Sequence, residues 1–187
     1  MVIQSKWVVN DETKNQIIRA STLKPRLDYA INLVDKMLEV LVHKKFELDK
    51  NNLRLYAKEK GYTCKSSEFQ AQLNCEIEIS FAVEALRQVR RSLDSVVGLG
   101  NIMIILSPTV SIVRTIRSRL FCLFPETDAV LGELSLILGG IIIDAGQLVG
   151  GRLDFEEANN KSNLLLDEAK LIADSKIYKQ FPNVDLP

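Results

Sequence analysis

Between residues 27 and 55 the apolar side chains Leu27, Ile31, Val34, Leu38, Leu41, Leu48 and Leu55 recur at alternating steps of three and four, with Lys45 and Asn52 standing where the pattern calls for apolar ones. A stripe of that period runs along one face of a helix, and one this long persists in water only when a second long helix covers it. The cover follows in the chain. Ser67 with Gln70 three residues on reads as a capping box, and Cys75, Ile79, Ala82, Leu86, Val89, Leu93 and Val96 carry a second seam of the same period. The first helix is expected to start between Thr22 and Pro25, where a first-turn proline is tolerated, and to end near Gly61. A short link between two such helices predicts an antiparallel hairpin.

Shorter helices are expected behind it. Gly98 and Gly100 weaken the end of the second helix, Ser107 and Pro108 read as the cap and first position of a third helix to Leu120, and Pro125 opens a fourth near residues 126–143. Within the fourth, LSLILGGIII is flanked by Glu133 and Asp144, too short and too charged at its margins for a span of about 20 residues, and reads as a buried helix. Gly150 and Gly151 then loosen the chain before a weaker amphipathic helix over residues 163–179, with Leu166, Ala169, Ala173 and Ile177 on one side. No alternating strand pattern and no internal repeat occurs, so the fold class is all-α: a long antiparallel hairpin with shorter C-terminal helices.

Chemistry is not written into this chain. His43 is the single histidine, between Val42 and Lys44 on the first helix, and reads as a solvated surface residue. Cys64, Cys75 and Cys122 are odd in number and widely spaced, which fits neither a disulfide framework nor a zinc site and points to a reducing compartment. Neither GLGNIM nor LGGIIIDAG is followed by the residues of a phosphate loop. The expectation is a protein without enzymatic activity, cofactor or metal. Residues 1–9 lack the apolar core of a signal peptide.

Charge is informative where chemistry is not. The net charge of zero divides into +6 over residues 1–120 and −6 over residues 121–187. Lys24 with Arg26, Lys44 with Lys45, Arg87 with Arg90 and Arg91, and Arg114 with Arg117 and Arg119 make four basic clusters along the helices. A solvated helix face explains each one singly; together they suit an anionic lipid surface, at up to about 1 kcal/mol per cation. The stacking aromatics and recognition helix of nucleic-acid binders are missing, so no nucleic-acid partner is expected. The start, MVIQSKWVV, sets Ile3 and Trp7 among valines around Lys6, a pattern suited to a headgroup interface, with plain disorder as the alternative. Membrane binding is therefore assigned to Ile3, Trp7, Lys24, Arg26, Arg87, Arg90 and Arg91. The end, QFPNVDLP, sets apolar side chains among prolines that forbid helix, and suits either a peptide laid into a partner's groove or a tail folded back on its own core.

The order LKPRLDYAI, VHKKFELDKNNLRLYAKE, ALRQVRRSLDSVVGLGNIMIILSPTVSIVRTIRSRL and FPETDAVLGELSLILGGIIIDAG, over about residues 22–147, resembles the archaeal ESCRT-III proteins of the CdvB type. The resemblance implies a membrane-proximal segment at residues 1–21, a helical core at 22–147, and an acidic regulatory region at 148–187. It also implies a filament subunit, polymerising with itself and with paralogues on the cytoplasmic face of the cell membrane at the division site, and acting in scission or vesicle budding. FPNVDLP is similar to the extended motifs that the MIT domain of an AAA+ ATPase reads, through Phe181, Pro182, Val184, Leu186 and Pro187. In the family picture the acidic C-terminal region, with Asp167, Glu168 and Asp174, folds against the basic hairpin; on opening, Gly98 and Gly100 act as a hinge through which the second helix runs into the third. Some members continue into a winged-helix segment that recruits them to an upstream membrane-binding protein, and this chain stops before such a segment. The alternative is a non-polymerising helical coiled-coil adaptor whose basic face binds protein or nucleic acid.

Overall fold

The structure, a computed structural model, describes residues 11–59, 64–96, 98–149 and 154–186. Five helices follow one another: α1 Asp11–Glu59, α2 Ser67–Asp94, α3 Leu99–Leu120, α4 Asp128–Val149 and α5 Phe155–Gln180, with a single 3-10 turn, Pro125–Thr127, before α4. No strand occurs among the described residues. The class is all-α, built on the expected hairpin.

Several boundaries differ from those read off the sequence. α1 reaches back to Asp11 with Pro25 inside it, so residue 21 is not an element boundary. The cap of α2 is Ser66, whose hydroxyl accepts from the Phe69 amide at 3.1 Å; Gln70 reaches the Cys64 carbonyl instead, at 2.6 Å. α3 begins at Leu99 and carries Pro108 in its interior. Burial of Ile102 and Leu106 draws that first stretch into helix, and the hydroxyls of Ser107 and Thr109 bond back to the carbonyls of Met103 and Ile105 on either side of the proline. α5 starts at Phe155, eight residues earlier than its apolar face suggests, because Asp154 caps it by accepting from the Glu157 amide at 3.0 Å.

Cross-helix pairs set the registers. Arg90 to Asp35 at 2.8 Å and Lys45 to Glu76 at 3.3 Å fix α1 and α2 as antiparallel. Arg26 to Asp144 at 2.7 Å and Lys44 to Glu126 lay α4 antiparallel along the first two-thirds of α1. Arg117 grips Asp128 through two bonds, at 2.7 and 3.1 Å, and lies so close over Gly132 that an added Cβ there would meet the guanidinium carbon at 3.0 Å. α5 packs on α2 and α3. The main core gathers Ala30, Val34 and Leu41 of α1 with Ile79, Leu86 and Val89 of α2, Ile112 and Ile116 of α3, and Leu131, Leu134 and Leu138 of α4.

The two interruptions in the α1 seam have a use. Asn52 donates to the carboxylate of Glu76, which is fully buried on α2, and Lys45 bridges Glu76 to Asp49, 3.0 Å away. Burial first, and then the neighbouring Asp49 carboxylate, push the Glu76 pKa up to about 7, against the opposing pull of Asn52 and Lys45. The folded chain thus holds this proton more tightly than the unfolded chain does. Its contribution to stability is full at low pH and is lost as pH rises through the interval from the usual carboxylate range to about 7, on the order of 2–3 kcal/mol in all. We predict that Glu76→Gln, which cannot lose the proton, flattens this part of the stability–pH curve; denaturant titrations of both chains across that interval measure it.

Candidate latch, cationic and assembly surfaces

The far end of the hairpin closes on the C-terminus. Phe181 is fully buried, its ring edge-on to Tyr56 at 5.4 Å and to Phe69 at 5.9 Å. Leu73, Ile77, Ile177 and Val184 complete a second core, with Leu55 and Leu186 packed at its margin. The chain leaves α5 there in a turn: the Phe181 amide bonds the Ile177 carbonyl at 2.8 Å, and the Val184 amide bonds the Phe181 carbonyl at 3.2 Å. Pro182 lies exposed at the corner. Of the two readings of QFPNVDLP, this conformation adopts the fold-back one: Phe181 and Val184 face the chain's own core, Leu186 is half-buried, and Pro182, Asn183 and Asp185 are exposed. Pro187 lies outside the described residues, as do Ile3 and Trp7.

The cations named from the sequence are largely engaged. Lys24 pairs with Asp28 at 3.2 Å within a turn of α1, Arg26 with Asp144, Arg87 with Glu84 at 2.7 Å, and Arg90 with Asp35 and Asp94. Within that set, only Arg91 has no ion-pair partner among the described residues. Arg119, from another basic cluster, stacks on Phe81 at 3.9 Å while gripping Glu78. A different set is free: Lys36, Lys50, Arg54 and Lys58 stand exposed along the outer face of α1 without carboxylate partners among the described residues, around the exposed Phe46 and Leu53. The adjacent doublets are mostly engaged in ion pairs in this conformation, whereas positions 36, 50, 54 and 58 share one helix face.

The charge division is realised differently from the family picture. Acids of α4 and of the 3-10 turn before it meet the basic hairpin, through Asp144 to Arg26, Glu126 to Lys44 and Glu133 to Tyr29 at 2.7 Å. On α5, Asp167 and Glu168 face solvent and Asp174 pairs with Lys170 of its own helix. The ion pair that joins α5 to α2 has the opposite sense, Lys176 on α5 to Glu84 on α2. α5 is held by other means: its buried residues are Ser162, Ala169, Ala173 and Ile177. Across from it, Ser80 and Gln88 share the buried face of Glu84, and Ser80 Oγ, Gln88 Nε2 and Ser162 Oγ find no hydrogen-bond partner. Small side chains bury little apolar area and each unmatched polar atom costs about 1–3 kcal/mol, so the α5 seam is weak for its length.

The expected hinge has its own geometry. Gly98 caps α3 in a fully extended conformation, φ 179° and ψ 175°, which any residue adopts, and Gly100 lies in the first helical turn. Asn101 donates to the Ser95 carbonyl at 3.4 Å and accepts from the Gly98 amide at 3.3 Å, bracing the link.

A comparison with known proteins places this architecture. Cell division protein B1 of Sulfolobus acidocaldarius is 28% identical over 170 residues, covering 89% of this chain and 75% of the relative. The alignment spans the hairpin and the shorter helices alike. This similarity supports a CdvB-type member of the archaeal ESCRT-III family. No family model and no solved structure matches it. The ESCRT-III family is structural and non-enzymatic, and the surface features described for this chain are the unpaired cations of α1, the α5 seam and the aromatic contact of the tail.

We predict that Phe181→Ala lowers unfolding stability by about 3 kcal/mol or more, the ordinary cost of emptying a buried aromatic site. Lys50→Glu, on the free outer face, leaves stability within about 0.5 kcal/mol. Denaturant unfolding of the two variants beside the parent chain checks both.

Proposed function

We propose that this protein is a cell-division subunit that polymerises, with itself and with paralogues, on the cytoplasmic face of the cell membrane and there contributes to cytokinetic scission or vesicle budding. The observation that carries the reading is the pairing of a well-packed hairpin with a C-terminal helix held by a small-residue, polar seam. Such a seam gives two states close in free energy, as a subunit needs if it is to be stored closed and assembled open. The relative's name, Cell division protein B1, supports the process.

In this reading the hairpin faces the bilayer through Lys36, Lys50, Arg54 and Arg91, with Phe46 and Leu53 adding apolar contact and the N-terminal segment, Ile3 and Trp7 included, adding a short anchor. Lys24, Arg26, Arg87 and Arg90 join only where their present carboxylate partners exchange for phosphate. Opening releases α5, and the segment around Gly98 and Gly100 lets α2 extend toward α3. The same event frees Phe181, Val184 and Leu186, with Pro182 and Pro187, to meet an MIT domain, so an AAA+ ATPase finds its peptide only on subunits that have already opened.

Two outcomes are expected. A chain with Lys36, Lys50 and Arg54 all changed to Glu binds vesicles rich in anionic lipid at least about tenfold more weakly, with the residual binding less sensitive to salt. A chain ending at Gly151 assembles on such vesicles at lower concentration than the full chain, and salt alone does not imitate the truncation, since ion pairs are not the main hold on α5. Liposome sedimentation with electron microscopy reads both; unchanged binding in the first case, or loss of assembly in the second, counts against the reading.

A further inference from the structure

The most apolar long segment of the described residues packs one face on the core and leaves large apolar side chains exposed on another. Pro125–Leu148 is long and apolar enough to cross a membrane by length and composition, and LSLILGGIII within it packs as the expected buried helix except at Leu136 and Ile143. Leu134, Leu138 and Ile141 face the core, whereas Leu136 is 79% and Ile143 62% exposed. Beside them Phe155, the first residue of α5, is 79% exposed, and Phe121 at the end of α3 also faces solvent. These knobs border two hollows. One, of about 510 Å³, is lined by Arg114, Phe121, Gly132 and Leu136. The other, of about 730 Å³, is lined by Val110, Arg114, Gly139, Ile143, Phe155 and Glu156.

Arg114 stands between the hollows. Its guanidinium reaches the Ser135 hydroxyl at 3.4 Å and has no carboxylate partner among the described residues; Glu156, on the rim of the larger hollow, has no cationic one.

We propose that this face is a homotypic interface through which two closed subunits form a two-fold dimer. A two-fold contact uses one patch twice, so the patch must carry both the projections and the recesses that receive them, and both members of any charge pair. This face does. Phe155 and Ile143 are knobs beside hollows roomy enough to receive them, the backbone at Gly139 is open to close approach because an added Cβ would meet nothing within 4 Å, and Arg114 and Glu156, unpaired among the described residues, supply opposite charges. With Arg117 already neutralised by Asp128, the face has no net charge, which suits a second copy of itself better than an anionic bilayer. An apolar patch of this kind on a water-exposed surface marks a partner.

The interface is composite. α4 supplies Leu136 and Ile143, α3 supplies Arg114 and Phe121, and α5 supplies Phe155 and Glu156, which stay in place only while α5 lies on α3. The dimer is therefore a form of the closed subunit, and release of α5 dismantles it. This goes beyond the polymer reading above and depends on neither lipid nor ATPase.

Sedimentation velocity of the full chain, free of lipid and over a range of micromolar concentrations, tests it. A reversible monomer–dimer equilibrium is expected. Leu136→Glu should weaken it by about tenfold or more, Arg114→Glu and Glu156→Arg should each weaken it severalfold, and the double reversal should restore most of the loss. All three positions are surface ones, and unchanged thermal melts confirm folding; the charge swap, which regains affinity rather than losing it, stands independently of that check. A chain that stays monomeric throughout, a dimer indifferent to Leu136→Glu, or a double reversal no better than the single changes overturns the proposal. So does a Leu136→Glu chain that keeps its lipid-free mass but loses binding to anionic vesicles, which would give the face to the bilayer.

Discussion

Phe181 decides where the C-terminal region lies. Without it the far end of the hairpin would expose Tyr56, Phe69 and Leu73, and α5 would rest on α2 and α3 through Ser162, Ala169, Ala173 and Ile177 with the half-buried Leu165 and Leu166. A buried aromatic side chain contributes several times what an alanine does, so the closure is concentrated at the tail and thin along the helix. Energy concentrated at one end suits a latch. Lifting that ring out removes the largest buried side chain at this end, and the seam that remains contains three buried polar atoms unmatched among the described residues.

The same arrangement explains why the charge division of the sequence does not act as a clasp. Acidic residues of α4 and of the 3-10 turn before it are matched to basic and phenolic groups of α1, a contact between elements that belong to the stable core. The acids of α5 are left for solvent, and the cation on that helix reaches back to a buried glutamate. Charge therefore orders the core, whereas packing governs the switch. The cations that the core does not use lie on the outer face of α1, while the α3–α4–α5 face balances Arg114 and Arg117 with Asp128 and Glu156.

The hairpin was legible because seven-residue patterns over two long stretches admit few other folds; Ile79, Leu86 and Val89 are all buried as the period requires. Even the irregularities were meaningful, since Lys45 and Asn52 break the seam to meet Glu76, a partner on α2 that no local pattern identifies. Helix starts were less legible. Pro25 and Pro108 look like first-turn residues, yet both sit inside helices whose tertiary packing outweighs the lost backbone bond. Site residues were hardest, because a cation's role depends on which carboxylate it meets across the fold: Arg26 and Lys36 are alike in sequence, and one is clamped to α4 while the other is free. The tail was readable as two alternatives, and only the aromatic site formed by α1 and α2 chooses between them for the closed subunit.

Amide hydrogen exchange, followed residue by residue with and without anionic vesicles, tests the central claim most directly, namely that the C-terminal region is a separately releasable unit on a stable hairpin. The account predicts that amides of α5 and of the turn at Phe181 exchange through a local opening well below the global unfolding free energy, while the facing parts of α1 and α2 exchange only by global unfolding. On vesicles, α5 should lose protection and the hairpin should keep it. If α5 and the hairpin instead exchange together as one cooperative unit in both conditions, the C-terminal region is a fixed part of the core, and the switch described here does not exist.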